Sequence, residues 1–152
     1  HVCFHLPDAD VMFTGDHVLQ KTTPHVGNFV YPLEERDALA EFFDSLRHVQ
    51  SMNVTRGLGS HGIGIDDVGV RAGELIEHHE ERLDHLCQAF ADDETTVWEV
   101  AERMKWYTPW SDISPFHKTL ALSVAAAHLP HLSSRNQFVQ LARSSPAHFA
   151  RA

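Results

Sequence analysis

Apolar and polar positions alternate at the start of the chain. Residues 2–6 place an apolar side chain at every second position, which is the period of a half-buried β-strand. Residues 7–10 are rich in proline and aspartate and are typical of a turn, after which residues 11–13 are apolar again. The pattern therefore predicts a β-hairpin whose second strand ends just before Asp16.

Four later segments show the spacing of helices. The first runs from Leu33 to about Gln50, with acidic residues in its first turn, and the second runs from about Val70 to Ala91. The third follows Thr96, which forms a capping box with an acidic residue three positions on. The fourth follows Ser114-Pro115, and Pro130 is expected to kink or end it.

The segments between these helices predict a strand and two loops. Residues 53–56 form a short β-like run that leads into residues 57–64, where four glycines bracket His61. Glycine frees the backbone, so the imidazole is expected to be presented from a tight loop. Residues 17–32 show no periodicity and predict a surface loop. Its candidate pocket residues are His17, His25, Phe29 and Tyr31.

The last apolar segments complete a second unit. Residues 138–141 and 147–149 predict the two strands of a small hairpin, so that the region holds three helices followed by a β-ribbon, a winged-helix-like order. The sequence therefore predicts an α/β unit over residues 1–68 and a mainly helical, winged-helix-like domain over residues 69–152.

Composition places the chain among soluble globular proteins, with 43% hydrophobic and 22% charged residues. No apolar run is long enough to cross a bilayer, and a cytoplasmic location is expected. Cys3 and Cys87 lack zinc-finger spacing and are expected to be free thiols. All 21 acidic residues precede residue 114. The basic residues after that position are Lys118, Arg135, Arg143 and Arg151. They mark either a surface for an anionic partner or a solvated face.

Asp16 and His61 are the candidate metal ligands. Each follows a β-like segment in a glycine-containing loop, so that both side chains can converge at one edge of a sheet. A carboxylate can bridge two cations, and a neutral imidazole suits zinc. The alternative is that Asp16 is a turn carboxylate and His61 an ordinary loop residue.

The other paired histidines are poorer candidates for a metal site. His78 and His79 are neighbours on a helix and point about 100° apart, so they cannot chelate one ion together. His128 and His131 have helical spacing, but Pro130 lies between them and no carboxylate is near in sequence. Packed or solvated imidazoles are expected at all four positions.

Several motifs, in order, resemble those of the metallo-β-lactamase fold. VMFTGD at residues 11–16 resembles the TGD element of that family, and LGSHG at 58–62, with Asp66 just beyond, resembles its PGHG element, although Ser60 departs from the usual proline-glycine context. The opening HVCF is similar to the strand after the family's TPGHSPG element. Residues 71–129 resemble the winged-helix tail of a branch that includes thioester hydrolases and a mitochondrial endoribonuclease.

The resemblance implies the late part of an αββα sandwich with a dinuclear metal centre. Asp16 would bridge two divalent ions, taken to be zinc, and His61 would bind the second. The family's HxHxDH loop and one further histidine are missing from this sequence. The chain is therefore expected to be a fragment that is inactive and metal-poor alone, because a catalytic zinc takes three protein ligands.

The parent protein is expected to be a metal-dependent hydrolase in which a metal-activated water attacks a small-molecule ester or thioester. A homodimer is an open possibility for it. The alternative function is nucleic-acid binding or an endoribonuclease role, with Lys118 and Arg135 contacting phosphates. The acid-rich first two-thirds of the chain argues against that alternative.

Overall fold

The computed structural model describes residues 1–28, 36–90, 94–142 and 146–152. Contacts between these residues divide the chain into two compact units. Unit 1 comprises His1–His25 and Glu41–His79, and unit 2 comprises Val26–Ala40 and Glu80–Ala152. No helix in the described ranges is long and apolar enough to span a membrane.

Unit 1 contains a three-stranded sheet. Strand β1 (Phe4–Leu6) pairs antiparallel with β2 (Val11–Gly15), and β2 pairs in parallel with β3 (Arg56–Gly59). The predicted hairpin is therefore confirmed. In this register Phe13 lies between Phe4 and Leu58 on neighbouring strands, so the three residues form a row across the sheet.

Strand β3 lies later in the chain than predicted and includes Gly57 and Gly59, for which the sequence predicts a loop. A Cβ atom added to Gly57 would lie 2.7 Å from Cγ2 of Val68, so close packing there requires a residue without a side chain. Pairing with β2 and this packing outweigh the low strand preference of glycine. The glycine-rich loop consequently begins only at Ser60.

Two amphipathic helices follow the predicted stripes. Helix α1 (Ala38–Ser51) starts later than predicted, because Asp37 Oδ1 accepts a hydrogen bond from the backbone N–H of Ala40 at 2.8 Å and caps the helix. Glu34 and Glu35 lie outside the described residues. Helix α2 (Val68–Ala89) buries the expected stripe, which contains Ala72, Leu75, His79, Leu83, Leu86 and Cys87.

Unit 2 contains the rest of α2, two further helices and a second sheet. Strand β4 (Thr95–Thr96) leads into α3 (Val97–Arg103), and α4 (Pro115–Ser134) is followed by β5 (Phe138–Ala142) and β6 (His148–Arg151). The sheet order is β4-β6-β5. The predicted capping box at Thr96, the N-cap at Ser114 and the terminal hairpin are all observed. The predicted boundary at residue 68 stays a prediction, since α2 begins there and contributes to both units.

Helix α4 continues through Pro130 to Ser134, so of the two predicted effects of this proline, a kink or an end of the helix, the end is wrong. Proline removes one backbone hydrogen bond, but contacts within unit 2 stabilise the last turn. Leu129 and Leu132 are buried on either side, and Nδ1 of His131 lies 2.9 Å from a carboxylate oxygen of Asp37.

Candidate metal centre

Asp16 and His61 meet at one edge of the first sheet. Asp16 directly follows β2 and His61 comes two residues after β3. Neighbouring parallel strands bring their carboxyl ends to the same edge, where ligand sites are commonly built. Nε2 of His61 lies 3.5 Å from Oδ1 of Asp16, so the structure brings together the two residues that the sequence singles out.

A tight turn presents Asp16. The backbone N–H of His17 donates to the carbonyl of Thr14 at 3.0 Å, which closes a four-residue turn around Gly15 and Asp16. Gly15 has φ +55°, the left-handed region that favours glycine. Thr14 is fully buried, and its hydroxyl donates to the carbonyl of Val18 at 2.7 Å. Both sides of the turn are therefore fixed.

The loop that carries His61 is joined to this turn. The N–H of Ser60 donates to the carbonyl of Gly15 at 2.9 Å, and the N–H of Ile63 donates to Oε1 of Gln20 at 3.4 Å. One backbone bond and one bond to the Gln20 side chain therefore join the segments that carry the two candidate ligands.

The donor atoms fit part of a metal site. Oδ1 of Asp16 is buried and accepts no hydrogen bond from the described residues, which is costly for a carboxylate oxygen unless it binds a cation or a donor. The side chain of His61 is 73% exposed and can turn its Nε2 toward an ion. A carboxylate oxygen and an imidazole nitrogen are both common zinc ligands.

The pair by itself is an incomplete donor set. Among the residues that the structure describes, no group of three or more His, Cys, Asp or Glu side chains is arranged to hold a metal ion. Catalytic zinc sites take three protein ligands and a water. A zinc ion bound by Asp16 and His61 would therefore need at least one ligand beyond those that the described residues bring together.

The candidate pocket residues are placed differently from one another. His17 is buried, and its Nε2 lies 2.9 Å from the hydroxyl oxygen of Ser45 on α1. Burial lowers the pKa of His17 below its ordinary value. His25 is exposed, whereas Phe29 and Tyr31 lie outside the described residues. The predicted surface loop is wrong at residues 17–19, whose side chains are all buried.

The remaining paired histidines lie in packed environments. His79 is buried with its ring edge-on to Phe42 at a centroid distance of 5.6 Å, and Nδ1 of His128 lies 2.8 Å from the carbonyl oxygen of Val124. His131 contacts Asp37, a residue that is 94 positions away in the chain. Sequence spacing could not indicate that contact, because the fold alone brings the two residues together.

The basic tail residues are largely engaged within unit 2. Arg135 makes a two-pronged ion pair with Glu80 at 2.6 and 2.7 Å, and a guanidinium N–H of Arg151 donates to the carbonyl of Cys87 at 2.8 Å. Lys118 lies over the ring of Trp110 at 4.9 Å, and Arg143 falls outside the described residues. This arrangement disfavours a phosphate-binding surface.

The chain is similar in sequence to lactamase-like proteins. A lactamase-like protein, adaB, from Aspergillus niger is 30% identical over 89 residues, which is 59% of this chain and 25% of the relative. The lactamase-like protein aptB from Emericella nidulans is 29% identical over 86 residues, or 57% of this chain and 25% of the relative. The matched stretch thus spans about a quarter of these relatives. No family model matches the chain.

Solved structures match the whole chain. A metallo-β-lactamase family protein from Thermus thermophilus superposes with a TM-score of 0.79 at 26% identity, over all of this chain and 45% of that protein. A β-lactamase domain protein from Burkholderia ambifaria superposes with a TM-score of 0.87 at 28% identity, over all of this chain and 44% of that protein. The chain therefore has the fold of the corresponding part of metallo-β-lactamase family proteins.

Proposed function

We propose that this chain supplies two ligands, Asp16 and His61, to the metal centre of a hydrolase. The observation that carries the proposal is the 3.5 Å approach of His61 Nε2 to the buried Asp16 Oδ1 at the carboxyl ends of two parallel strands. Membership of the metallo-β-lactamase fold supports it, since hydrolysis is the usual chemistry of that fold.

Each ligand has a distinct task in this proposal. A bound divalent ion, zinc in the first instance, would lower the pKa of a water molecule and polarise the substrate. Asp16 would be one of the residues that hold the metal, through its carboxylate. His61 would bind through Nε2 from the exposed side of the site. The ligands missing from this chain would come from the remainder of a longer protein.

The substrate class proposed is a small ester or thioester. Support comes from the aromatic and apolar residues of the sequence at Phe29, Val30 and Tyr31, which suit an acyl group better than a polyanion. The winged-helix-like interpretation of residues 69–152 is supported by the order of helices α2, α3 and α4 followed by the β5–β6 hairpin. We propose a cytoplasmic enzyme in which this region contributes to a homodimer interface.

Zinc binding by single-residue variants tests the ligand assignment. In the longest natural protein that contains this chain, we expect Asp16→Ala and His61→Ala each to weaken zinc binding by more than about tenfold, since even the loss of residues that orient ligands costs 10–100-fold. Competition with a chromophoric chelator measures the affinity, and elemental analysis measures the metal content.

His5→Ala is the matched control, because His5 lies on the same sheet but in β1. We expect it to bind zinc as the unmodified protein does. If Asp16→Ala retained its full metal content, Asp16 would not be a ligand and the proposal would be wrong.

A further inference from the structure

Arg71 on α2 is tied to the segment that follows Asp16. Its Nε donates to the carbonyl of Leu19 at 2.7 Å and its Nη2 donates to the carbonyl of Thr22 at 3.2 Å. The third branch, Nη1, lies 2.8 Å from a carboxylate oxygen of Glu74. The side chain is only 17% exposed. The largely buried, planar guanidinium therefore donates hydrogen bonds to two loop carbonyls.

The segment that Arg71 holds touches the strand leading to His61. A Cβ atom added to Gly59 would lie 3.2 Å from both Cδ2 of Leu19 and the carbonyl oxygen of Val18. The end of β3 therefore packs directly under this segment. Any shift of Leu19 would move the point from which the His61 loop departs.

The same segment also touches the His61 loop itself. Oε1 of Gln20 accepts from the N–H of Ile63 at 3.4 Å, and a Cβ atom added to Gly62 would lie 3.2 Å from that same oxygen. Gly62 has φ +99°, so the loop follows a course that a residue with a side chain adopts rarely. Gln20 lies between the two carbonyls that Arg71 binds, so Arg71 fixes the backbone from which Gln20 reaches the loop.

We infer that Arg71 is a positioning residue for the metal centre, acting through Leu19–Thr22 on the relative placement of Asp16 and His61. The inference rests on the proposed function, because it assumes that these two residues bind metal. Arg71 touches neither of them. Its effect is on the geometry of the pair, in the way that outer residues orient metal ligands generally.

Arg47 provides a matched control for Arg71. Both arginines lie on helices and pair with an acidic residue three positions away, at 2.9 Å for Arg47 with Asp44 and at 2.8 Å for Arg71 with Glu74. The side chain of Arg47 is 53% exposed. A lysine at either position keeps the positive charge but loses the planar fork.

Zinc affinity is measured for Arg71→Lys and Arg47→Lys in the longest natural protein that contains this chain, with Asp16→Ala alongside. We expect Arg71→Lys to bind zinc 10–100-fold more weakly and to change the visible absorption of the cobalt(II)-substituted protein, which reports ligand geometry. Arg47→Lys should leave both unchanged. Thermal unfolding of the metal-free variants shows whether each is folded.

Gln20→Ala is a second variant that breaks the same chain of contacts without touching Arg71, and we expect a smaller loss of zinc affinity from it. If Arg71→Lys does not fold, the zinc affinity of Gln20→Ala alone tests the positioning role. The positioning role would be overturned if Gln20→Ala, and Arg71→Lys where it folds, kept the zinc affinity and the cobalt spectrum of the wild type. If Asp16→Ala lost zinc in the same experiment, the proposed function would remain intact. Wild-type affinity in Asp16→Ala would overturn the proposed function and this inference together.

Discussion

Single residues set the geometry of the candidate centre. Asp16 occupies a turn in which Gly15 takes φ +55°, and the neighbouring side chains at Thr14 and His17 are buried. The turn therefore has little freedom to move the carboxylate. His61 has no comparable packing of its own and depends on the backbone bond between Ser60 and Gly15.

Replacement of Gly15 by alanine should cost stability through backbone strain alone. An added Cβ would meet the carbonyl oxygen of Val2 at 3.8 Å and Oγ of Ser60 at 3.9 Å, which are ordinary contacts. The left-handed conformation costs an alanine about 1–2 kcal/mol. We expect the free energy of unfolding of Gly15→Ala, measured by urea denaturation, to fall by that amount.

Gly69→Ala is the control for backbone strain. Gly69 lies in the first turn of α2, and an added Cβ would meet Oδ1 of Asp67 at 3.4 Å without a left-handed φ. Alanine is favoured over glycine in helices by up to about 1 kcal/mol, so this variant should be neutral or stabilised. Equal losses from both substitutions would contradict the strain argument.

At the scale of elements, one carboxylate links the start of α1 to the end of α4. Asp37 caps α1 through the N–H of Ala40 at 2.8 Å and contacts the side chains of His131 and Ser134, each at 2.9 Å. These interactions explain why α1 begins at Ala38 and why α4 persists beyond Pro130. They join residues that lie in the same compact unit but far apart in sequence.

Asp37→Asn should reveal a pH-dependent contribution of this carboxylate. Burial acts to raise the pKa of Asp37, but hydrogen bonds from Ala40, His131 and Ser134 hold it below the ordinary value of 3.8. A lowered folded pKa means that the stability gained is fully present above about pH 4 and is lost as the pH falls through the folded value. We expect the variant to lose about 1–3 kcal/mol at pH 7, and the difference to shrink in acid.

Urea denaturation between pH 7 and pH 2.5 measures that difference. Asp44→Asn on the same helix is the control, because Asp44 is exposed and pairs with Arg47 across the helix surface. Exposed pairs of this kind contribute about 0.5 kcal/mol or less. If the loss of unfolding free energy in Asp37→Asn grew as the pH fell, the stabilising role of the ionised Asp37 carboxylate would be contradicted.

At the scale of the whole molecule, the sheet of unit 1 carries an apolar row that is open to solvent. Phe4 is 65% exposed, Phe13 44% and Leu58 43%, and they lie side by side across the three strands. A contiguous row of exposed apolar side chains is typical of a surface that another part of a protein covers. The matched solved structures are more than twice the length of this chain, and we expect the remainder of such a protein to cover this row.

Phe13→Ser tests that expectation in two settings. In the longest natural protein that contains this chain, the substitution should cost about 3 kcal/mol or more of unfolding free energy, as for a buried phenylalanine. In the chain alone it should change stability little and reduce the binding of a hydrophobic fluorescent dye. Phe116→Ser, at a position that is 69% exposed in unit 2, should have a small effect on stability in both settings. A small loss for Phe13→Ser in the longer protein would show that the row is not covered there.

Local patterns in the sequence were sufficient for much of this protein. The hairpin at residues 4–15, the buried stripe of α2, the capping box at Thr96 and the start of α4 at Ser114 all follow from periodicity and capping chemistry, which act over a few residues. The motifs around Asp16 and His61 likewise indicate the fold family from sequence alone. Their role as metal ligands stays a proposal.

Features that depend on contacts between residues far apart in the sequence were decided only by the tertiary structure. Strand β3 lies later in the chain than the sequence predicts because it pairs with β2 and because Gly57 packs against Val68. Helix α4 continues beyond Pro130 because Asp37 contacts its last turn. The sequence also did not predict that His17 is buried, or that Arg71 donates hydrogen bonds to the carbonyls of Leu19 and Thr22. The physical reason is common to all of them, since packing and side-chain hydrogen bonds between distant residues outweigh local preferences of about 1 kcal/mol or less per residue.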